Sequence, residues 1–477
     1  MKMARLTRQA NLSILFLGLG LTLWSVSSVH ADLPKELEFP PIEFEVPEVD
    51  TLEFDNGLRG YLIEDHTIPL INVNVMYRTG FPPENQVGLD GIAGWAIRNG
   101  GSVNYPKSVI DDELEFMGAS IESNASSQVG QIRANFLTKH AQKVLEIYAD
   151  LILNPAFDAD KIELHKKTTI EGIRRKADDP SSLGWREFAK IVYGGHPLSW
   201  EPTAATISNI TREDVIGFHR KYVRPDNAVI GITGDITAQE TLDALNRLLK
   251  DWEPGGETPA FPDMEYRIAG SVNYVYKDVN QAYIWAGHMS MNSSNQDLPL
   301  AEIMNYVLGG ASFTSWITQR VRADEGLAYS AGSRFSASPW GYGLFSASCQ
   351  TRSGAAMRAL SLMVEQIERM KEMGPSEEEV SEAKEAMINS QVFDYESNDR
   401  IVRRLVWYDL VGLPLDTLER EFEALSSATV EDVSRVSREY LHPDDLVILV
   451  VGDEDQFDRP LSDLGEVNLI EVEEEVE

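Results

Sequence analysis

Apolar and polar residues change their period several times along the chain, and each change marks an element. Ile71 to Tyr77 (INVNVMY) alternates apolar and polar positions, as a half-buried strand does. Asn56-Gly57, between FD and LRGYLIED, is a hairpin signal, because both residues tolerate the positive φ that tight turns demand. The period becomes helical at Val109 to Met117 and again at His140 to Leu153, where Val144, Ile147, Tyr148 and Leu151 share one face. Asn154-Pro155 stops that helix, another begins near Asp158, and the loop YGGHPLSWEP follows. Ala355 to Met373 is amphipathic, and Ser376 with Glu379 opens the next helix as a capping box. Strands and helices interleave without strict βαβ alternation, which predicts an α+β fold.

The pattern also repeats. Residues 210–235, ITREDVIGFHRKYVRPDNAVIGITGD, align without a gap onto 428–453, ATVEDVSRVSREYLHPDDLVILVVGD. Matched positions include Asp214 with Asp432, Tyr222 with Tyr440, Pro225-Asp226 with Pro443-Asp444, and Gly234-Asp235 with Gly452-Asp453. Each copy reads as helix, Pro-Asp turn, buried strand and Gly-Asp, so the chain is two similar halves made by internal duplication. The expected halves are 51–250 and 271–462, joined by a Pro- and Gly-rich linker at 251–270 and followed by an acidic tail at 463–477.

Within the second half, Gly309 to Gly332 (GGASFTSWITQRVRADEGLAYSAG) reads as a turn, an amphipathic helix and a strand. Arg322 falls on the last helical turn and Tyr329 at the start of the strand, a spacing that can bring a cation and a phenol together near a sheet edge. In the first half the matched residues are Leu114 and Ile121. Apolar residues are what a purely structural helix and strand would use there, so the polar pair is a candidate site. The alternative is a solvated Arg and a half-buried Tyr with no chemistry.

Charge and composition narrow the functional classes. The formal net charge is −34, which opposes nucleic acid and anionic membranes as partners. Lys2, Arg5 and Arg8, the apolar run Leu12 to Trp24 and the small residues ending at Ala31 read as a secretory leader, 1–31, cleaved after Ala31. An extended lead-in, 32–50, follows, and no later segment is long and apolar enough to span a bilayer, so no membrane insertion is expected after cleavage. A lone Cys349 excludes an intramolecular disulfide and a cysteine-rich metal site. The histidines show no His-x-x-x-His spacing, and the mature chain has neither a G-x-S-x-G elbow nor a P-loop.

Taken in order, NGLRGYLIEDHTIPLINVNVMYRTG, YGGHPL, the two Pro-Asp and Gly-Asp turns and RADEGLAYS resemble the insulinase/pitrilysin family of zinc metallopeptidases, in its bacterial two-subunit branch. The resemblance implies two α/β-sandwich halves, each a mixed or antiparallel sheet covered by helices, closing as a clamshell with a partner. Catalytic members carry His-x-x-Glu-His on a helix and a downstream Glu as third zinc ligand. Here GIAGWAIRNGG stands in that place: Gly94 at the first His, Ile97 at the Glu, Arg98 at the second His, and Gly172 at the downstream ligand. The resemblance therefore implies no metal in this chain and zinc in a homologous His-x-x-Glu-His partner. It further implies that Arg322 and Tyr329 bind the substrate backbone and the transition state, beside a close-approaching turn at Gly309-Gly310. An extended peptide, added to a sheet edge, is the expected substrate. The implied role is the zinc-less subunit of a periplasmic heterodimeric metallopeptidase, not active alone. The alternative is an inactive scaffold or assembly protein on the same fold.

Overall fold

The computed structural model describes residues 47–257, 260–391 and 397–472. The expected leader and most of the lead-in lie outside these residues. Two six-stranded mixed sheets, each layered with helices, build the molecule. The first comprises β1 (Asp50–Glu53), β2 (Arg59–Glu64), β3 (Leu70–Arg78), β4 (Ser120–Ala125), β5 (Val129–Leu137) and β6 (Ala228–Gly234), in the order β1-β2-β6-β3-β5-β4. The second comprises β7 (Ser271–Tyr276), β8 (Gln281–Met289), β9 (Ala328–Phe335), β10 (Leu344–Arg352), β11 (Val447–Gly452) and β12 (Val467–Leu469), in the order β12-β7-β11-β8-β10-β9.

Five strands correspond one to one. In both sheets the buried strand after the Pro-Asp turn, β6 or β11, runs parallel to one neighbour and antiparallel to the other. The repeated sequence explains the local agreement: Thr211 with Asp214 and Thr429 with Asp432 form matching capping boxes ahead of those strands. The sixth strand differs. In the first half it is β1, antiparallel to β2 through the hairpin whose Gly57 has φ +84°; in the second it is β12, parallel to β7. The acidic tail expected from 463 is thus corrected, since Val467–Leu469 is a sheet edge. Its flanking glutamates fit an edge strand, where charge discourages further pairing.

One face of each sheet packs on its own half's helices, around Val75, Ile97, Phe136 and Tyr148 in the first and Ile317, Phe345, Met363 and Val433 in the second. The other face is covered by a helix from the opposite half. Pro180–Tyr193 places Leu183, Phe188 and Val192 against Trp285, Val447 and Leu449. Asn398–Val411 places Ile401, Val402 and Val406 against Tyr61, Ile63 and Val229. These helices are matched elements of the duplication. Each has a side-chain N-cap, Asp179 or Ser397, and a left-handed glycine after its last turn, Gly194 (φ 60°) or Gly412 (φ 77°). A glycine admits each helix: a Cβ on Gly184 would fall 2.1 Å from Trp285, and one on Gly231 would fall 2.6 Å from Val402. Gly184 lies on the helix and Gly231 on the sheet; in the repeat Gly184 matches Val402, and Gly231 matches Leu449, which pairs with Trp285 across β11 and β8.

The linker is held by aromatic contacts. Phe261 stacks on Trp340 (4.3 Å) and meets Phe81 edge-on (5.8 Å); Phe81 meets His196, and Trp340 meets Trp407. His196 is structural: its Nδ1 accepts from the Leu198 amide, and its Nε2 lies 3.3 Å from the Pro262 carbonyl.

Candidate functional site

The region matching the metal motif is closed by packing. Gly94 and Ile97 are buried on the helix Leu89–Asn99, and a Cβ on Gly94 would lie 2.2 Å from the Ala125 amide of β4. A histidine there has no room. Arg98, nearly buried, donates from Nη2 to Asp111 at 2.7 Å and from Nε to the Ile121 carbonyl at 3.1 Å, tying three elements together. Lys107 also pairs with Asp111. Burial disfavours ionisation of Asp111, but the hydrogen bonds from Lys107 and Arg98 outweigh it and hold the carboxyl below its ordinary range. Ser123 Oγ, which donates to the Gly94 carbonyl at 2.6 Å, completes the seam. Gly172 lies on the helix Ala159–Asp178, with nothing near its Cβ position. These residues offer no zinc ligands, and among the described residues no three His, Cys, Asp or Glu side chains are placed to share a metal ion. The His288–His442 pair, 5.0 Å apart, is structural: burial pushes His288 down to about 4, and its ring bridges the Met289 carbonyl and the His442 amide.

The matched region of the second half is built differently. The helix Leu298–Asn305 runs on into a π turn, Tyr306–Gly310, and the segment holding Arg322 is itself a π-helix, Thr318–Asp324, where the sequence pattern predicts a regular amphipathic helix. Wide turns of this kind recur at functional sites, whereas the counterparts Leu89–Asn99 and Lys107–Met117 are α-helical throughout. Both segments before the edge strand end at a left-handed glycine, Gly118 and Gly326.

Arg322 and Tyr329 do come together. The guanidinium carbon lies 5.8 Å from the Tyr329 ring centroid and 5.2 Å from that of Phe313, so the cation sits between two rings. Arg322 makes no ion pair or hydrogen bond with any described residue; the acids beside it in sequence are paired elsewhere, Asp324 and Glu325 with Arg320, and Glu325 also with Arg358 at 2.9 Å. Tyr329 is 84 % exposed, whereas Ile121, its match, is 4 % exposed. The cause is a bulge. Ser330 pairs with Gln350 and Ala328 with Thr351, leaving Tyr329 as the extra residue, while the β4–β5 ladder runs without a shift. Leu114, the match of Arg322, is likewise buried at 4 %.

In the sequence Phe313 is only a lone aromatic in the loop ASFTS; the structure leaves it 66 % exposed beside Arg322. Gly309 approaches the protein's own strand rather than a free surface: a Cβ there would lie 2.3 Å from the Ser333 amide. Gly310 is exposed beside Asn305. Thr318 Oγ1 donates to the Ala331 carbonyl at 2.9 Å. Along the outer edge of β9 the Ala331 carbonyl accepts from Thr318 and the Ser333 carbonyl from Asn305 at 3.5 Å, while Tyr329 at the start of the strand is exposed.

Comparison with known proteins agrees with this architecture. A model described as insulinase (peptidase family M16) matches residues 97–199, and one described as the peptidase M16 inactive domain matches 209–387. A Helicobacter pylori protein named non-peptidase homolog YmxG is 23 % identical over 82 % of this chain and 90 % of its own length. A Bacillus subtilis protein named uncharacterized zinc protease YmxG is 23 % identical over 83 % and 96 %. Among solved structures, a peptidase M16 inactive domain from Pseudomonas fluorescens superposes with a TM-score of 0.79 at 23 % identity, covering 87 % of this chain and 99 % of that one. A Helicobacter pylori protease gives 0.77 at 19 %, covering 85 % and 100 %. The two family models together span more than half of the sequence, on the fold of those structures, so the chain belongs to peptidase family M16, the insulinase family.

Proposed function

We propose that the protein is the zinc-less subunit of an exported, periplasmic heterodimeric metallopeptidase, completed by a homologous chain with an intact His-x-x-Glu-His motif that holds the zinc. The observation that carries this reading is Arg322: a half-buried cation framed by Phe313 and Tyr329, with the adjacent Asp324 and Glu325 paired to other arginines. A guanidinium without an internal partner keeps its N–H groups free for a peptide carbonyl, and the bulged Tyr329 hydroxyl is a donor for an oxyanion. The rings restrict the guanidinium, so less freedom is lost when it binds.

The second reading, a non-enzymatic scaffold, draws on the sealed seam between Gly94 and β4. It does not account for the uncommitted Arg322 and the exposed Tyr329. Assaying a quenched peptide with the mature chain alone, with the zinc-bearing partner, and with the Arg322→Ala chain plus partner separates the two. Cleavage only by the wild-type pair, cut by roughly 10²-fold or more in the variant, is expected for loss of one transition-state donor. Cleavage by the isolated chain, or full activity of the variant pair, would refute the proposal.

A further inference from the structure

The first half keeps a cavity beside its sealed seam, at the N-terminal turn of the helix Leu89–Asn99, with a volume of about 270 Å³. Phe81, His165 and Trp200 contribute rings to its wall, Ile92 and Ile207 apolar surface, and Asp90 a carboxylate. Asp90 and His165 are the only titratable side chains in the wall. Burial lowers the His165 pKa, and its ring lies flat on Trp95 at 3.9 Å, so the site disfavours the charged imidazole. Asp90 forms no ion pair with a described residue; burial raises its pKa against the help of the Asp90 and Gly91 backbone N–H groups. The hydroxyl of Tyr77, fully buried and without a hydrogen-bond partner, lies within electrostatic reach of that carboxylate.

A desolvated carboxylate among ring faces attracts a cation in two ways, by charge and by the ring quadrupoles. An apolar guest would leave the carboxylate without water or partner, and an anion would be repelled. The volume lies just below the range of about 300–1,000 Å³ typical for whole small molecules, and suits one long side chain. The acidic chain as a whole favours the approach of basic peptides.

We propose that this cavity receives one lysine or arginine side chain of an extended peptide, with Asp90 as its counter-ion and Phe81 and Trp200 as its walls. The site is separate from Arg322 and Tyr329 and needs neither a partner subunit nor a metal. The test uses the mature chain alone, titrated with the capped tripeptides acetyl-Ala-Lys-Ala-amide and acetyl-Ala-norleucine-Ala-amide and followed by amide chemical shifts at Asp90–Ile92. Saturable binding of the lysine peptide is expected, about tenfold weaker for the norleucine peptide and about tenfold weaker for the lysine peptide in Asp90→Asn. Absence of saturable binding, equal binding of both peptides, or lysine binding unchanged in Asp90→Asn overturns the proposal. Trp200→Ala, which removes another ring of the wall, serves if thermal melting shows Asp90→Asn misfolded: several-fold weaker lysine binding is expected, and unchanged binding overturns the proposal.

Discussion

The two halves carry the same five-strand framework and use one pair of matched positions in opposite ways. Leu114 and Ile121 are buried on a regular helix and an unbroken ladder, whereas Arg322 is half-buried on a π-helix and Tyr329 exposed at a bulge. The substitutions alone would not make a site. An Arg placed on a regular helix at position 114 would point into the core, and a Tyr in an unbulged strand would replace a buried Ile. Backbone irregularity came with the polar residues, and together they move two side chains from the interior to the surface.

Exchanging residues between the halves tests this most strongly. Leu114→Arg buries a charge without a partner and is expected to cost several kcal/mol, about 3 or more, read as a fall in the urea midpoint. The reciprocal Arg322→Leu should change stability by only about 0.5 kcal/mol, since it removes no ion pair. A comparable loss from both would mean that Arg322 is structural.

The exchanged helices give the next contrast. Gly231→Ala drives a Cβ toward Val402 and Val406 and is expected to destabilise by about 1–3 kcal/mol. Adding Val402→Ala should recover part of that loss, so that a thermodynamic cycle shows favourable coupling. Additive losses would place the strain elsewhere.

A smaller effect is expected at the seam that replaces the metal motif. Asp111→Ala removes the partner of nearly buried Arg98, but Asp111 is 43 % exposed and shared with Lys107, so the cost is about 1–2 kcal/mol. Because the folded-state pKa of Asp111 is lowered, its contribution is complete above the unfolded value of about 4 and is lost as pH falls through the folded value. Acid melts of wild type and Asp111→Ala should therefore converge below that point, and parallel curves would count against the ion pair.

What the sequence reveals follows from the range of the forces involved. The hairpin at Asn56-Gly57, the capping boxes and the repeated helix-turn-strand were all legible, because their signals are local and periodic. The exchanged helices were not. Amphipathicity states that Pro180–Tyr193 buries a face, but not that the face belongs to a sheet some hundred residues further on. The pairing of Arg322 with Tyr329 was legible from spacing and from the repeat. The bulge that exposes Tyr329, the π turns and the stacking of Phe313 were hidden, since each depends on one-residue registers that no periodicity records. Arg98 illustrates the converse: its charge was plain in the sequence, but its ion pair with Asp111 needed the fold.

The exchanged helices carry a consequence for ancestry. A single half standing alone has one bare sheet face and one helix with nowhere to lie. Two identical halves trading that helix satisfy both needs at once, as a symmetric pair does in a domain-swapped dimer. Gene fusion would then have joined two chains already dependent on each other, freeing each seam to specialise. Gly184 and Gly231, on opposite sides of otherwise equivalent seams, are what that freedom leaves behind, a symmetry kept in topology and abandoned in detail.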